Sequence, residues 1–456
     1  MIATLSRALD LTEGEPLGHS MRACWIGMQL AAELGWDDDI RRQLFYAILL
    51  KDAGCSANAH QVSSWFGTDD RRAKRDLKMV NWSRLHEAVR YAVRNAAPGG
   101  PAVRRVRQIV ALGRRGVGAA RELVRERCTV GADLVRRLGW DDLVPEAVLN
   151  LDEHWDGSGY PLGRSGLDIP LLARVANLAQ QVEIAWSRGG GPAACDVVRA
   201  RRRTWFDPEL ADAFLTMARA PGFFDALGAI RDPEDLAPVA PAARDGDVLS
   251  VESGLVPMAE VFAEIVDRKS PWTVHHSERT ALYAGRLAEA MGWEPVTVRE
   301  TVLAGFYHDL GKLGVSNVIL DKPGRLTDEE FRAVQTHPAL TADILSPLAG
   351  VDPLNRVAAA AAAHHERLDG SGYHRGTSGR DIPPSATVVA VADVFDALTS
   401  ERPYKAGMAP DDALALMMPD AGRQLAGDAV AALAELVRSG AMPLVQAPQE
   451  VAGVLR

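Results

Sequence analysis

No stretch of the 456 residues is apolar over the roughly 18 positions that a membrane-spanning helix needs. The first ten residues, Met1 to Asp10, carry one Arg and no apolar core of leader-peptide length. A cytoplasmic protein with no membrane partner is therefore expected. Cysteine is scarce: Cys24, Cys55, Cys128 and Cys195 stand far apart and form no CxxC pair. That argues against a disulfide framework and against a thiolate zinc site. Aromatic residues make up 6% of the chain and are not interleaved with its basic residues, which disfavours stacking on single-stranded nucleic acid. A net charge of −9 sets the whole molecule against general nucleic-acid binding. Strand signals are also few. Ala, Leu, Val and Arg are abundant, so an all-α fold is expected, and the length calls for more than one hydrophobic core.

What is present is an ordered repeat. His276-Ser277-Glu278-Arg279 opens a segment of helical spacing that stops at Gly292-Trp293, as His19-Ser20-Met21-Arg22 opens one that stops at Gly35-Trp36. Both pairs of ends are 257 positions apart, and the same offset carries Asp52 to Asp309. Further on, Asp156-Gly157-Ser158-Gly159-Tyr160 returns as Asp369 to Tyr373, and Asp168-Ile169-Pro170 returns as Asp381-Ile382-Pro383, each at an offset of 213. Self-similarity in this order indicates a duplication, with 44 extra residues in the first copy. In that copy helices are expected over 19–35, about 39–51 and 171–186. The Gly-rich repeats must be loops.

The extra residues fall in a basic segment. Residues 71–127 hold sixteen Lys and Arg against four Asp and Glu, a net charge of +12 in a chain of −9. The Pro-Gly-Gly-Pro run at 98–101 divides the segment into two helical pieces. Such a face is either solvated and docked on acidic surface elsewhere, or a site for a nucleotide or acidic partner. The stretch 226–250 is rich in Pro and Asp, lacks periodicity and reads as a linker.

Seven of the eleven histidines lie between 275 and 374. His276 opens a helix, His308-Asp309 closes the next, His337 precedes Pro338 at a helix start, and His364-His365 follows an Ala-rich run. Asp393 and Asp396 interrupt an otherwise apolar helix, where a carboxylate is costly unless a cation or donor meets it. Each alone has an ordinary structural explanation. Together they supply five imidazoles and two carboxylates, and six or seven such ligands are what a two-metal site needs. A mixed His/Asp set without Cys favours iron or manganese, with zinc, magnesium or nickel behind them.

The segments 267–279, 308–312, 364–373 and 393–405 together resemble the HD-GYP branch of the HD-domain metal-dependent phosphohydrolases, over about 251–440. The resemblance implies an all-helical fold and hydrolysis of a cyclic dinucleotide, first of all cyclic di-GMP, to a linear dinucleotide or GMP. Another nucleotide substrate, or a weakly catalytic nucleotide-binding signalling module, is the alternative. It further implies His276, His308, Asp309, His337, His364, His365 and Asp393 as ligands of two divalent metal ions, with Asp309 bridging. His308, Asp309, Lys312 and Asp396 become catalytic candidates, and Lys312, Arg402, Lys405 and Tyr373 substrate-binding ones. Some members carry a Glu one turn before the first His, where this chain has Trp272. His374 stands in place of the Pro of the Gly-Tyr-Pro motif, and Thr387 where an Arg is frequent. Both bear on the loop over the substrate.

The first half resembles the same family but keeps only His19 and Asp52 of its ligands. Lys51 stands for His308, Arg127 for His337, Leu151 and Asp152 for His364 and His365, and Gln180 for Asp393. The expected organisation is tandem HD-domain-like helical bundles. Residues 1–225 form a degenerate, metal-free copy with a basic helical insertion around 64–127, available to signalling proteins. Residues 226–250 are the linker and 251–456 the phosphohydrolase.

Overall fold

A computed structural model describes residues 2–81, 84–140, 142–242, 255–401 and 406–442. Among them there is no β-strand, and α-helices with short 3-10 turns supply all the regular structure, so the chain is all-α. It divides into two compact units, Met1–Gly254 and Leu255–Arg456.

In the second unit the helices His276–Ala290, Pro295–Tyr307 and Pro384–Thr399 form the centre. They bury Phe306, Tyr307 and Phe395 completely or nearly so. The first two cross closely because Gly305 faces Ala281: a Cβ on Gly305 would lie 2.7 Å from the Ala281 Cα. Pro295 and Pro384 occupy first-turn positions, where the missing N–H costs nothing. Gly292, at φ 74°, ends the helix that His276 begins. Thr327 and Glu330 form a reciprocal capping box on the helix Asp328–Val334, which leads directly into His337.

The first unit repeats this order with His19–Glu33, Asp38–Leu49 and the helix that starts at Leu171. That last helix continues to Arg201 across a kink at Gly189 and Gly190, so the expected end near 186 marks only its first straight part. The Pro-Gly-Gly-Pro break is where it was expected, between Leu85–Asn95 and Ala102–Arg137. The inserted helices have a small core of their own, with Val62, Phe66, Ala73, Tyr91 and Leu123 buried together.

The linker reading needs correction. Residues up to 242 belong to the folded first unit: the helix Phe223–Ala229 runs into the stretch, a 3-10 turn follows at Pro233–Leu236, and Leu236 and Val239 are buried. The Asp232–Asp235 capping box and the Arg7–Asp232 pair use the acidic residues that had suggested a solvated tether. Residues 243–254 lie outside the described residues.

Candidate metal centre

The turn after Tyr307 sets the site. Helix Pro295–Tyr307 ends at His308, and Leu310–Gly314 continues as a 3-10 turn. Gly311 allows this turn to lie against the start of helix His337–Leu345: its Cβ would fall 1.9 Å from the His337 carbonyl oxygen. Thr341 ties the two together, accepting from the Gly311 N–H at 2.9 Å and donating to the His308 carbonyl at 3.1 Å.

Three imidazoles are held by one local device. His308 Nδ1 is 2.6 Å from the Gly305 carbonyl, His337 Nδ1 2.7 Å from Val334, and His364 Nδ1 2.7 Å from Ala361. Each acceptor is the carbonyl three residues earlier, at a helix end where the helix no longer uses it. A proton on Nδ1 leaves the Nε2 lone pair pointing inward, the arrangement found when imidazoles ligate metals. His276 is set differently: its Nδ1 is 2.7 Å from Asp396 Oδ2.

The inward atoms converge on Asp309. Its Oδ2 lies 3.4 Å from both His276 Nε2 and His308 Nε2, and its Oδ1 lies 3.4 Å from His337 Nε2 and 4.0 Å from His364 Nε2. Asp393 Oδ1 stands 3.3 Å from His276 Nε2. Two groups of potential ligands result, His276 with His308 and Asp309, and His337 with His364 and His365. Four of the atoms that should bind have no hydrogen-bond partner, His276 Nε2, His308 Nε2, Asp309 Oδ1 and His365 Nδ1, all buried, while His337 Nε2 and His364 Nε2 lie 3.3 Å from each other. Buried polar atoms are nearly always satisfied, so this convergence of lone pairs fits divalent cations.

Electrostatics agree. Burial would raise the Asp309 carboxyl, but His308 and Lys312 outweigh it and hold the group well below the usual carboxylate range. Asp393 is held down in the same way, chiefly by His276. Burial pushes His337 down to about 4, and burial together with neighbouring imidazoles pushes His364 and His365 well down. Neutral rings are the ligating form. His276 is shifted the other way: burial lowers it, but the carboxylates of Asp309, Asp393 and Asp396 outweigh that and hold it well above the usual imidazole range.

The remaining candidates fall around this centre. Lys312, still partly exposed, pairs with Asp309 Oδ2. The ring of Tyr373 lies 4.7 Å from that of His365, and burial raises its phenol so that it keeps its proton. The loop carrying Tyr373 is pinned by Glu366, whose carboxylate accepts from the Arg375 and Thr377 amides at 2.8 Å. Asp396 is placed behind the cluster, not in it. Its oxygens take the His276 Nδ1 proton and the Arg279 guanidinium, at 2.5 Å from Nε, so it orients a ring and offers no free oxygen to substrate. Arg402 and Lys405 lie outside the described residues.

Glu366, Arg279 and Thr341 were not singled out from the sequence. The repeat carried a signal for two of them: Glu153 and Arg22 occupy the matching positions and make matching contacts, with the Leu162 amide and with Glu183.

In the first unit the same scaffold encloses cations of its own. Lys51 Nζ donates to Asp52 Oδ2 and lies 3.2 Å from His19 Nε2. Lys78 Nζ lies 2.8 Å from both Asp52 Oδ1 and Glu13 Oε2, and 3.1 Å from Gln180 Oε1. Arg127 pairs with Asp152. Gly54 meets the Arg127 carbonyl at the same 1.9 Å as Gly311 meets that of His337, which fixes Arg127 as the counterpart of His337. Glu13, Asp52 and Cys55 also come together, but the Lys78 ammonium already lies between the two carboxylates. Two of the cations here, Lys78 and Arg127, come from the basic segment.

Comparison with known proteins places this geometry. The sequence model of the HD domain matches residues 117–210 and 260–428, a stretch in each unit. A 3'3'-cGAMP-specific phosphodiesterase of Vibrio cholerae is 39% identical over 417 residues, 91% of this chain and 89% of its own. A cyclic di-GMP phosphodiesterase of Thermotoga maritima is 43% identical over 155 residues, 34% of this chain and 42% of its own. Among solved structures, a cyclic GMP-AMP-specific phosphodiesterase of V. cholerae superposes with a TM-score of 0.61 at 33% identity, covering 96% of both chains. No helix among the described residues is long and apolar enough to cross a membrane.

Proposed function

This chain belongs to the HD-domain family, in its HD-GYP branch, and from that membership we propose that its second unit is a two-metal phosphodiesterase that opens a cyclic dinucleotide. The observation that carries the reading is Asp309. Its two oxygens face two separate sets of imidazoles, as a carboxylate bridging two ions must. His276, His308 and Asp393 would complete one ion's shell with Asp309, and His337, His364 and His365 the other's. Two divalent ions there supply neutralisation of phosphate charge and acidification of a water. A nitrogen-and-oxygen ligand set without thiolate suits iron or manganese first.

The chain's own residues do the rest. Lys312 is close enough to Asp309 to exchange that partner for a phosphate oxygen at the edge of the centre. Tyr373, kept protonated, offers a hydroxyl donor beside His365. Asp396 keeps His276 in one tautomer and orientation. Arg402 and Lys405 are assigned to the phosphate on the strength of the family motif.

Cyclic di-GMP is the substrate named for the relative matched over a third of the chain. The relatives matched across nearly the whole length are specific for a mixed-base ring, and this favours 3'3'-cGAMP as a second reading. The first unit is proposed to be a metal-free copy, because Lys51 and Lys78 supply internally the positive charge that Asp52 requires. A role in receiving signalling partners would fall to it.

The test is a hydrolysis panel of cyclic di-GMP, 3'3'-cGAMP and cyclic di-AMP with anaerobically purified protein of measured metal content. Wild type should hydrolyse a guanine-containing ring. His308→Ala/Asp309→Ala should lose its metal and at least about 1,000-fold in rate. Full turnover by that variant, or tight binding of every ring without turnover by wild type, would sink the proposal.

A further inference from the structure

The segment before His276 leaves a tryptophan where a core aromatic would not be. Trp272 is 38% exposed, and Val274 beside it 47%. The Trp272 amide is held by Ser270 Oγ at 3.3 Å, and Thr273 Oγ1 donates to the Asp267 carbonyl at 2.9 Å, so the turn that carries the indole is fixed. Trp272 borders a cavity of about 150 Å³ that begins at Lys312 and runs back between Val266, Leu320 and Val334. On its other side it borders a wider cleft of about 660 Å³ with Arg279 and Tyr283. The smaller cavity has about the volume that, in an apolar cavity, admits benzene, which is room for the six-membered ring of a purine.

We propose that this cavity is the subsite for one guanine of the cyclic dinucleotide, with Trp272 as its stacking wall. The proposal rests on the phosphodiesterase reading above and deepens it. Three observations support it. Lys312 belongs to both the cavity and the metal centre, so a ring with its phosphate at Asp309 has a base within reach of the cavity. The walls combine an indole and aliphatic side chains, a surface on which bases stack, with the polar Ser270 and Thr273. Lys312 and Lys322, which pair with Asp309 and with Glu330, also line it, and either ammonium can exchange that partner for a base. Ammonium groups suit the O6 and N7 acceptors of guanine, whereas adenine places an amino donor at that edge. Both candidate substrates carry at least one guanine.

The experiment compares wild type, Trp272→Ala and Trp272→Phe on cyclic di-GMP, cyclic di-AMP and bis(p-nitrophenyl) phosphate, a phosphodiester without a nucleobase. Trp272→Ala should lose about tenfold or more in kcat/KM on cyclic di-GMP relative to bis(p-nitrophenyl) phosphate, through KM, and Trp272→Phe should recover most of it. Wild type should show a higher KM for cyclic di-AMP than for cyclic di-GMP. Equal losses on both kinds of substrate, or no loss on either, would overturn the stacking role. Equal KM for the two rings would overturn the guanine assignment. If wild type cleaves bis(p-nitrophenyl) phosphate but no cyclic dinucleotide, it is the substrate reading that fails, and this subsite with it.

Discussion

Asp396 stands at one remove from the candidate metal centre, bonded to His276 Nδ1 and Arg279. Its place three residues after Asp393 on an apolar helix grouped it with the catalytic carboxylates, because residues at that spacing share a helical face. In the fold the two point to different partners: Asp393 to His276 Nε2, and Asp396 to His276 Nδ1 and Arg279. Removing the charge from Asp396 while keeping its shape isolates the orienting role. Asp396→Asn should weaken metal binding or activity by about 10–100-fold, the usual cost of disturbing an outer-sphere partner. Metal titration alongside the hydrolysis rate at saturating metal would check this, and an unchanged affinity and rate would show the pairing to be dispensable. The arrangement was legible in principle. Arg22 and Glu183 stand at the repeat offsets from Arg279 and Asp396 and form the same pair in the first unit, at 2.7 Å.

At the scale of elements, helix ends decide which ring nitrogen faces inward. His308, His337 and His364 each follow a helix and return a proton to the carbonyl three residues back. The sequence showed these histidines at segment boundaries, and the boundaries were right. It could not show that two of the ends abut through Gly311, because that contact joins residues 26 apart, 311 and 337. Gly311→Ala would drive a methyl group into the His337 carbonyl and displace the turn that carries Asp309. A loss of about 1–3 kcal/mol in stability is expected, with reduced metal content. Gly350, which has open space around its Cβ position, is the control, and Gly350→Ala should change stability by no more than about 0.5 kcal/mol. Denaturant unfolding of both variants, with metal analysis, distinguishes them.

Across the whole molecule the two units solve one electrostatic problem in different ways. Each encloses an Asp at the end of the matching helix, Asp52 or Asp309, exposed by 1% or less. In the first unit lysines fill the space beside it. In the second, the facing groups are imidazoles, of which His337, His364 and His365 are held neutral, with Lys312 as the ammonium at Asp309, and bound cations would supply the further positive charge. Chelation should therefore separate the units. EDTA should lower the thermal stability of the second and leave the first nearly unmoved, because ligands that bind only the folded form stabilise it by mass action. Hydrogen exchange followed segment by segment, with and without EDTA, would show this as lost protection around 308–312 and 364–373 but not around 51–55. Equal loss in both would contradict it.

The sequence by itself determined the helical class, the ordered repeat, and which of its positions carry His and Asp in the second copy but other residues in the first, since these depend on residue identity, local periodicity and spacing. Tertiary structure decided what depends on distant segments meeting. It turned the two oxygens of Asp309 toward different histidines, withdrew Asp396 behind His276, and folded part of the supposed linker into the first unit. It also brought Lys78 and Arg127 of the basic segment inward to carboxylates that lie 26 and 25 residues away in the chain, Asp52 and Asp152. The physical reason is burial. A charge or lone pair removed from water must find a partner, and only the packed chain shows which partners are within reach.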